Sequence, residues 1–139
     1  MQKPHPPILL GGFSPNTFTR IVNYADGWLP VTGFGPLEQL EQIEQAINGL
    51  REGARKADRD PSTIRLHLLS HLNVQESPPP PGQQRMPMSG TIDQIGSDIE
   101  QIKAIEGLEQ IIMSHAFSPV GRDAKKMVEV TKQLARFAK

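Results

Sequence analysis

Short apolar runs that are typical of β-strands alternate with amphipathic helical stripes along the whole chain. The runs lie at residues 8–11, 27–30, 64–74 and 108–114, and a helical pattern follows each of them. Parallel strands need a long crossover between them, usually a helix, whereas antiparallel strands can be joined by a two-residue turn. The sequence therefore predicts an α/β fold of four parallel strands, each followed by a helix that packs on the outside of the sheet.

Residues that favour helix starts stand at the expected junctions. Ser14–Pro15 supplies a capping hydroxyl and a first-turn proline, and Ser118–Pro119 repeats the same pair before the last helical stripe. Thr91 and Gln94 form a capping-box pattern, and Pro36 is predicted to open the second helix. These signals place one helix start after each predicted strand.

The segment at residues 76–90, ESPPPPGQQRMPMSG, interrupts the alternation. Proline fixes the backbone and lacks an N–H donor, so this segment is predicted to stay unpaired, as a mobile loop of polyproline character. Periodic patterns continue on both sides of it. Residues 1–139 are therefore predicted to form a single domain that contains this loop.

The composition excludes several classes of function. Fifteen basic and fifteen acidic residues cancel, so no overall field attracts nucleic acid or an anionic membrane surface. The chain has no cysteine, which excludes disulfides, thiolate metal sites and a cysteine nucleophile. No apolar run approaches the roughly 18 residues of a membrane span, and the start lacks the apolar region of a signal peptide. We expect a cytoplasmic protein that binds neither nucleic acid nor membrane.

Two glycines precede the first predicted helix in the stretch ILLGGFSPNTFTR, residues 8–20. Glycine lets the backbone approach a ligand closely, and free N–H groups and the helix dipole favour an anion at a helix start. Gly11, Gly12 and Ser14 are therefore predicted to form a phosphate cradle. A tight turn that binds nothing fits the same pattern equally well.

His71 and His115 are the candidate catalytic residues. They lie at the end of the third predicted strand and just after the fourth, where parallel β/α folds bind ligands. An imidazole at such a place suits an acid–base or hydrogen-bonding role. No carboxylate or third ligand accompanies them, so no metal site is predicted, and a structural role with local partners is the favoured alternative. Trp28, the only tryptophan, is predicted to lie in the core rather than to stack on a ligand.

Two stretches carry a resemblance to a known family. PPILLGGFSPNTFTRIVNYADGWLP, Pro6 to Pro30, resembles the segment of luciferase-like monooxygenases in which a PPIxxGG motif precedes an arginine-containing helix and then YADGW. GTIDQIGSDIEQI, Gly90 to Ile102, is similar to the GTPEQV helix of the same family. The resemblance implies a TIM barrel that uses FMN or a deazaflavin coenzyme to oxidise small organic substrates.

The same resemblance assigns cofactor contacts to five residues. Gly11, Gly12 and Ser14 would contact the cofactor phosphate, and Thr32 and Gly33 would lie on the next loop of the same rim. None of the matched residues is a catalytic residue of the family, so the resemblance adds no catalytic assignment to the two histidines.

The predicted strands account for half of such a barrel. A TIM barrel has eight strands and about 250 residues, and the strands predicted here match the C-terminal half of the family. The expected fold is therefore a (βα)4 half of a TIM barrel, completed or covered by oligomerisation. The partner is either a second copy, in a homodimer, or a separately encoded N-terminal half-barrel.

Two functions remain open. The first is a flavin- or deazaflavin-dependent oxidoreductase component of the monooxygenase type, acting on a small organic substrate once assembled. The second is a non-catalytic half-barrel, a relic or assembly module that retains at most a phosphate site. The family's N-terminal half supplies many cofactor-ring contacts, so these residues do not distinguish FMN from deazaflavin, and they name no substrate.

Overall fold

The computed structural model describes residues 5–33 and 39–138, and these ranges contain seven strands and four α-helices. The strands are β1 (Leu9–Leu10), β2 (Gly27–Trp28), β3 (Val31–Thr32), β4 (Arg65–His71), β5 (Asn73–Val74), β6 (Ser89–Gly90) and β7 (Leu108–Ser114). The helices are α1 (Pro15–Tyr24), α2 (Gln39–Lys56), α3 (Ile92–Lys103) and α4 (Ala124–Leu134). Short 3-10 turns lie at Pro61–Thr63, Pro119–Arg122 and Ala135–Phe137.

The main sheet is parallel throughout and has four strand positions in chain order. β4 pairs with β7 on one side and with both β2 and β3 on the other, while β1 pairs with β2. β2 and β3 form one strand position, interrupted at Leu29 and Pro30, where proline has no N–H for the ladder. The predicted order of parallel strands and intervening helices is confirmed, but the predicted strand 64–74 divides at Leu72 into β4 and β5, and β5 pairs with β6 in a second sheet.

The hydrophobic core lies between one face of this sheet and the helices. Trp28 and Leu68 from the sheet are fully buried. Each helix contributes apolar side chains spaced three or four residues apart, which is how a helix turns one stripe toward a sheet. The buried helix residues are Ile21, Leu40, Ile43, Ile47, Leu50, Ala54, Ile95, Ile99, Ile102, Val130 and Leu134.

Local capping chemistry explains two of the helix starts. The Ser14 Oγ accepts the Thr17 N–H at 3.1 Å, with Pro15 as the first residue of α1. Thr91 and Gln94 satisfy each other's backbone N–H groups in a complete capping box before α3. Both predicted caps are therefore confirmed.

The predicted start of the last helix is wrong. Ser118 precedes only the 3-10 turn Pro119–Arg122 and makes no side-chain capping bond. The helix α4 begins after Asp123, whose Oδ1 accepts the N–H groups of Lys125 and Lys126. The predicted helix start at Pro36 lies outside the described residues.

The end of the proline-rich segment 76–90 is anchored. β6 pairs in parallel with β5, so the expectation that the whole segment stays unpaired is wrong for its last two residues. Arg85 donates two hydrogen bonds of 2.6 Å to the fully buried Asp98 of α3, and a third to the Ser89 carbonyl. The Asp98 carboxylate also accepts the Met88 N–H at 2.7 Å. We call the Arg85–Asp98 pair the clasp; the mobility of the rest of the segment stays a prediction.

The helices pack on one face of the main sheet, and on the second face His67 is 7% exposed and Ile112 is 37% exposed. Along β4, Arg65, His67, Leu69 and His71 alternate with residues that point into the core, and so they share this second face. We call it the open face; it corresponds to the interior of a barrel.

Within residues 5–33 and 39–138, no helix combines the length and the apolar character needed to cross a bilayer.

Candidate functional site

The carboxyl ends of the parallel strands meet at one edge of the sheet, which we call the rim. The turn from β1 to α1 lies there and contains both predicted cradle glycines. Gly12 has a φ of +100°, a backbone conformation that residues other than glycine rarely adopt. A Cβ on Gly11 would lie 3.2 Å from the Leu29 carbonyl oxygen. Both glycines therefore permit a tight, closely packed turn.

This turn presents unused backbone donors at the start of α1. In the described part of the chain, the N–H groups of Gly12, Phe13 and Asn16 donate to no protein acceptor. Ser14 lies among them, with its hydroxyl bonded to Thr17 Oγ1 at 2.9 Å. Free N–H groups at the positive end of a helix dipole favour an anion. The turn thus offers backbone donors where the cradle is predicted, and phosphate binding there stays a prediction.

Trp28 contacts the β1–α1 turn from the hydrophobic core. Its side chain is fully buried, which confirms the prediction of a core residue, and its Nε1 donates to the Gly12 carbonyl at 2.9 Å. The rings of Phe13 and Phe18 pack edge-on against the indole at 5.3 and 5.4 Å. Sequence reasoning missed this positioning role. Trp28 itself was the signal in the sequence, because a buried indole N–H needs a hydrogen-bond acceptor nearby.

Thr32 does not lie on the rim loop. It belongs to β3, is fully buried, and pairs in register with Ser70, so its side chain faces the helix layer. Its Oγ1 has no hydrogen-bond partner in the described residues. Gly33 follows at a φ of +100°, and a Cβ there would lie 2.7 Å from the His71 carbonyl oxygen. Gly33 therefore packs on the end of β4, and cofactor contacts by either residue stay predictions.

His71 lies at the rim on the open face. It is half-buried, and its ring makes a T-shaped contact with the ring of Phe117, with centroids 4.8 Å apart. Burial lowers the pKa of His71 below its usual 6.5. The imidazole is therefore neutral at physiological pH, and it suits hydrogen bonding or proton acceptance more than charge pairing.

His115 has a local partner. Its Nε2 lies 3.0 Å from the Thr131 Oγ1 of α4, and burial lowers the pKa of His115 below 6.5. One ring nitrogen is thus engaged with the outer helix. This contact matches the structural alternative for His115, and a catalytic role for either histidine stays a prediction.

A separate groove of about 1120 Å³ lies at the opposite end of the strands. It is lined by α2, the turn Pro61–Thr63 and the amino ends of β4 and β7, and Arg51 closes one side by donating to the Glu106 carbonyl at 2.7 Å. Parallel β/α folds bind ligands at the carboxyl ends, so this groove is not the candidate site. No group of three metal-ligating side chains occurs within residues 5–33 and 39–138.

Comparison with known proteins identifies a matching family and a similar solved structure. The sequence matches the model of the luciferase-like monooxygenase family over residues 1–80. Among solved structures, the chain is similar to an F420-dependent secondary alcohol dehydrogenase in complex with an F420-acetone adduct, with a TM-score of 0.69 and 17% identity. No curated protein sequence matches the chain.

The structural match covers 99% of this chain and 50% of the dehydrogenase chain. The chain thus spans half the length of this solved structure, which confirms the fold as a half-barrel. The family match includes the cradle turn and β1 to β5, whereas the resemblance at Gly90–Ile102 lies beyond the matched residues. Because more than half of its residues match the family model, this chain belongs to the luciferase-like monooxygenase family.

Proposed function

We propose that this chain forms the phosphate-binding side of a flavin- or deazaflavin-dependent oxidoreductase that acts on a small organic substrate. The observation that carries the proposal is the β1–α1 turn, where Gly11 and Gly12 precede unused N–H groups at the start of α1. FMN and the deazaflavin coenzyme both carry a phosphate that such a turn can bind. Family membership supports a cofactor of this kind.

The residues present fit a phosphate better than a ring. A side chain on Gly12 would crowd the Thr17 hydroxyl, with its Cβ 3.3 Å from the Oγ1, so glycine keeps the turn open. The Trp28 indole N–H donates to the Gly12 carbonyl and so holds this peptide group within the turn. When bound, the cofactor supplies two-electron redox chemistry that protein side chains lack. The amides of this chain hold its anionic end at the rim.

His71 is the proposed acid–base group of the same rim. It lies on the open face, next to Gly33, with Phe117 packed against its ring. Because burial keeps the imidazole neutral, it can accept a proton from a substrate hydroxyl or donate a hydrogen bond to a carbonyl. Phe117 is 63% exposed and offers apolar surface beside it.

The second candidate function is a non-catalytic half-barrel that retains the phosphate site alone. The observation that favours it is that His115 bonds to Thr131 of α4, a structural contact, while the β1–α1 turn keeps its unused N–H groups. Binding of phosphate without any measurable preference for FMN or deazaflavin would favour this candidate.

Calorimetry with inorganic phosphate, FMN and deazaflavin coenzyme tests the cradle. We compare Gly12→Val with Gly82→Val, because Gly82 also has a positive φ, of +86°, but no atom lies within 4 Å of its Cβ position. Strain at a positive φ costs each variant about 1–3 kcal/mol of stability. Only Gly12→Val should weaken phosphate and FMN binding, by at least about tenfold, which corresponds to 1.4 kcal/mol.

Thermal melts recorded alongside show whether both variants remain folded at the temperature of the titrations. A folded wild type that binds neither phosphate nor cofactor would overturn the cradle. Equal binding by the two variants would show that the glycines serve the turn alone.

A further inference from the structure

An apolar band crosses the open face of the main sheet. Val31 of β3, Leu69 of β4 and Ile112 of β7 stand in the same register on neighbouring strands. Ile112 is 37% exposed, and the other two side chains are half-buried. Side chains normally fill the interior of a TIM barrel. This band therefore has the composition of a layer of barrel interior, but the side chains that would pack against it from the opposite strands are not part of this sheet.

A polar layer lies beside the band, toward the amino ends of the strands. Arg65 Nε donates to Glu109 Oε2 at 2.9 Å, and His67 Nε2 lies 3.4 Å from the same oxygen. A shift in the β4–β7 register between Leu66 and His67 leaves Glu109 opposite this pair. The charges of Arg65 and Glu109 cancel within one chain.

The two edge strands of the main sheet, β7 and β1, have the orientation needed to pair with each other across two copies. β7 pairs only with β4, and β1 pairs only with β2, among the described residues. All strands of the sheet run in the same direction, so β7 of one copy can lie parallel to β1 of another. Unpaired strand edges of this kind are templates for pairing with another chain.

We propose that a second copy of this chain covers the open face. The two-fold axis of the dimer runs along the axis of the barrel, so each β7 lies beside the partner's β1. Four strand positions from each copy then complete the eight of a TIM barrel. This arrangement does not depend on the phosphate cradle.

Three observations favour a second copy as the occupant. A two-fold axis packs the apolar band against an identical band, which is the self-complementarity that an isologous interface requires. The charges of Arg65 and Glu109 in the neighbouring layer cancel, and the chain has a net charge of zero, so no net charge drives two copies apart. The described sheet also has four strand positions, which is half of the eight that close a TIM barrel.

Sedimentation of the 139-residue chain at 1–100 μM tests the proposal. The wild type should sediment as a dimer. Ile112→Arg places two charges in the apolar band and should weaken the dimer at least 100-fold, to a monomer at 10 μM. Val128→Arg is the matched control, because Val128 is 50% exposed on α4 and does not lie on the open face. It should leave the dimer unchanged.

A cross-linking experiment with a more conservative substitution tests the proposal if Ile112→Arg does not fold. The chain has no cysteine, so Ile112→Cys and Val128→Cys each carry a single thiol. A short bismaleimide should join two copies of Ile112→Cys and should leave Val128→Cys uncoupled. A wild type that stays monomeric up to 100 μM would overturn the proposal. A dimer that cross-links equally well through both positions would also overturn it.

Discussion

Asp98→Ala should destabilise the fold far more than Asp93→Ala, although each removes an aspartate–arginine pair from α3. The Asp98 side chain is fully buried, and that of its partner Arg85 is 17% exposed. The Asp93 and Arg136 side chains of the control pair are 87% and 58% exposed. The two substitutions remove the same chemical group from the same helix, so burial and the bonds that depend on it are the main differences.

The loss of stability in Asp98→Ala can be estimated from the groups that lose their hydrogen-bond partner. Without Asp98, the Arg85 guanidinium keeps its charge in a largely dry place and the buried Met88 N–H loses its acceptor. Removing one partner of a buried ion pair costs about 3–5 kcal/mol. Breaking an exposed pair costs about 0–1 kcal/mol, and losing a negative charge from the first turn of a helix costs a further 0.3–1 kcal/mol, roughly. We expect the two variants to differ by about 2–4 kcal/mol, or roughly 10 °C in Tm for a chain of this size.

Thermal and urea unfolding, followed by circular dichroism, measure the difference. Hydrogen exchange at the Met88 amide should become faster in Asp98→Ala and should stay unchanged in Asp93→Ala. The double variant Arg85→Ala, Asp98→Ala should be less destabilised than the sum of the single variants, because it leaves no uncompensated charge. If Asp98→Ala costs no more than Asp93→Ala, the clasp does not hold the proline-rich segment in solution and the reasoning fails.

Further predictions concern two glycines and the two rim histidines. Gly96→Ala should cost about 1–3 kcal/mol, because a Cβ there would overlap an aromatic ring, whereas Gly49→Ala, with no atom within 4 Å, should gain about 0.5–1 kcal/mol; urea midpoints compare them. Burial lowers the pKa of His71 and His115 below 6.5, so the unfolded chain binds protons first as the pH falls. Stability should therefore be highest above pH 6.5 and decline below it; a Tm that does not fall between pH 8 and 5.5 would contradict this.

Local chemistry made the β1–α1 junction predictable. The cap at Ser14 depends on residues within one helical turn, so a single stretch of sequence contains the whole signal. The Ser118–Pro119 pair carries the same signal, yet the chain makes a 3-10 turn there. A Cβ at Gly121 would overlap the His115 carbonyl, which shows how tightly that turn folds back on the end of β7. The difference lies in packing, which a helix-capping pattern does not include.

The misassigned residues depend on contacts between distant segments. Ser89 enters β6 beside the clasp, which joins Arg85 to a helix that begins after the proline-rich segment ends. Thr32 belongs to a strand of two residues, too short for alternation to show which face it occupies; only the register with Ser70 shows this. Sequence periodicity therefore predicts the long strands and helix stripes, whereas short strands need their neighbours.

The parallel sheet also determines how the chain can fold. Every strand pair joins segments separated by a helix or by the proline-rich segment, and none of the pairs in the described residues is a hairpin. Strand pairs of this kind stabilise the chain only after a large loop has closed, and loop closure costs conformational entropy. Folding is therefore slower than that of a helical bundle of similar length. β4 gains its second neighbour only when β7, which follows it by a helix and the proline-rich segment, joins the sheet. Until then the middle of the sheet has an unpaired edge, and the nascent chain is at its most prone to aggregation during that interval.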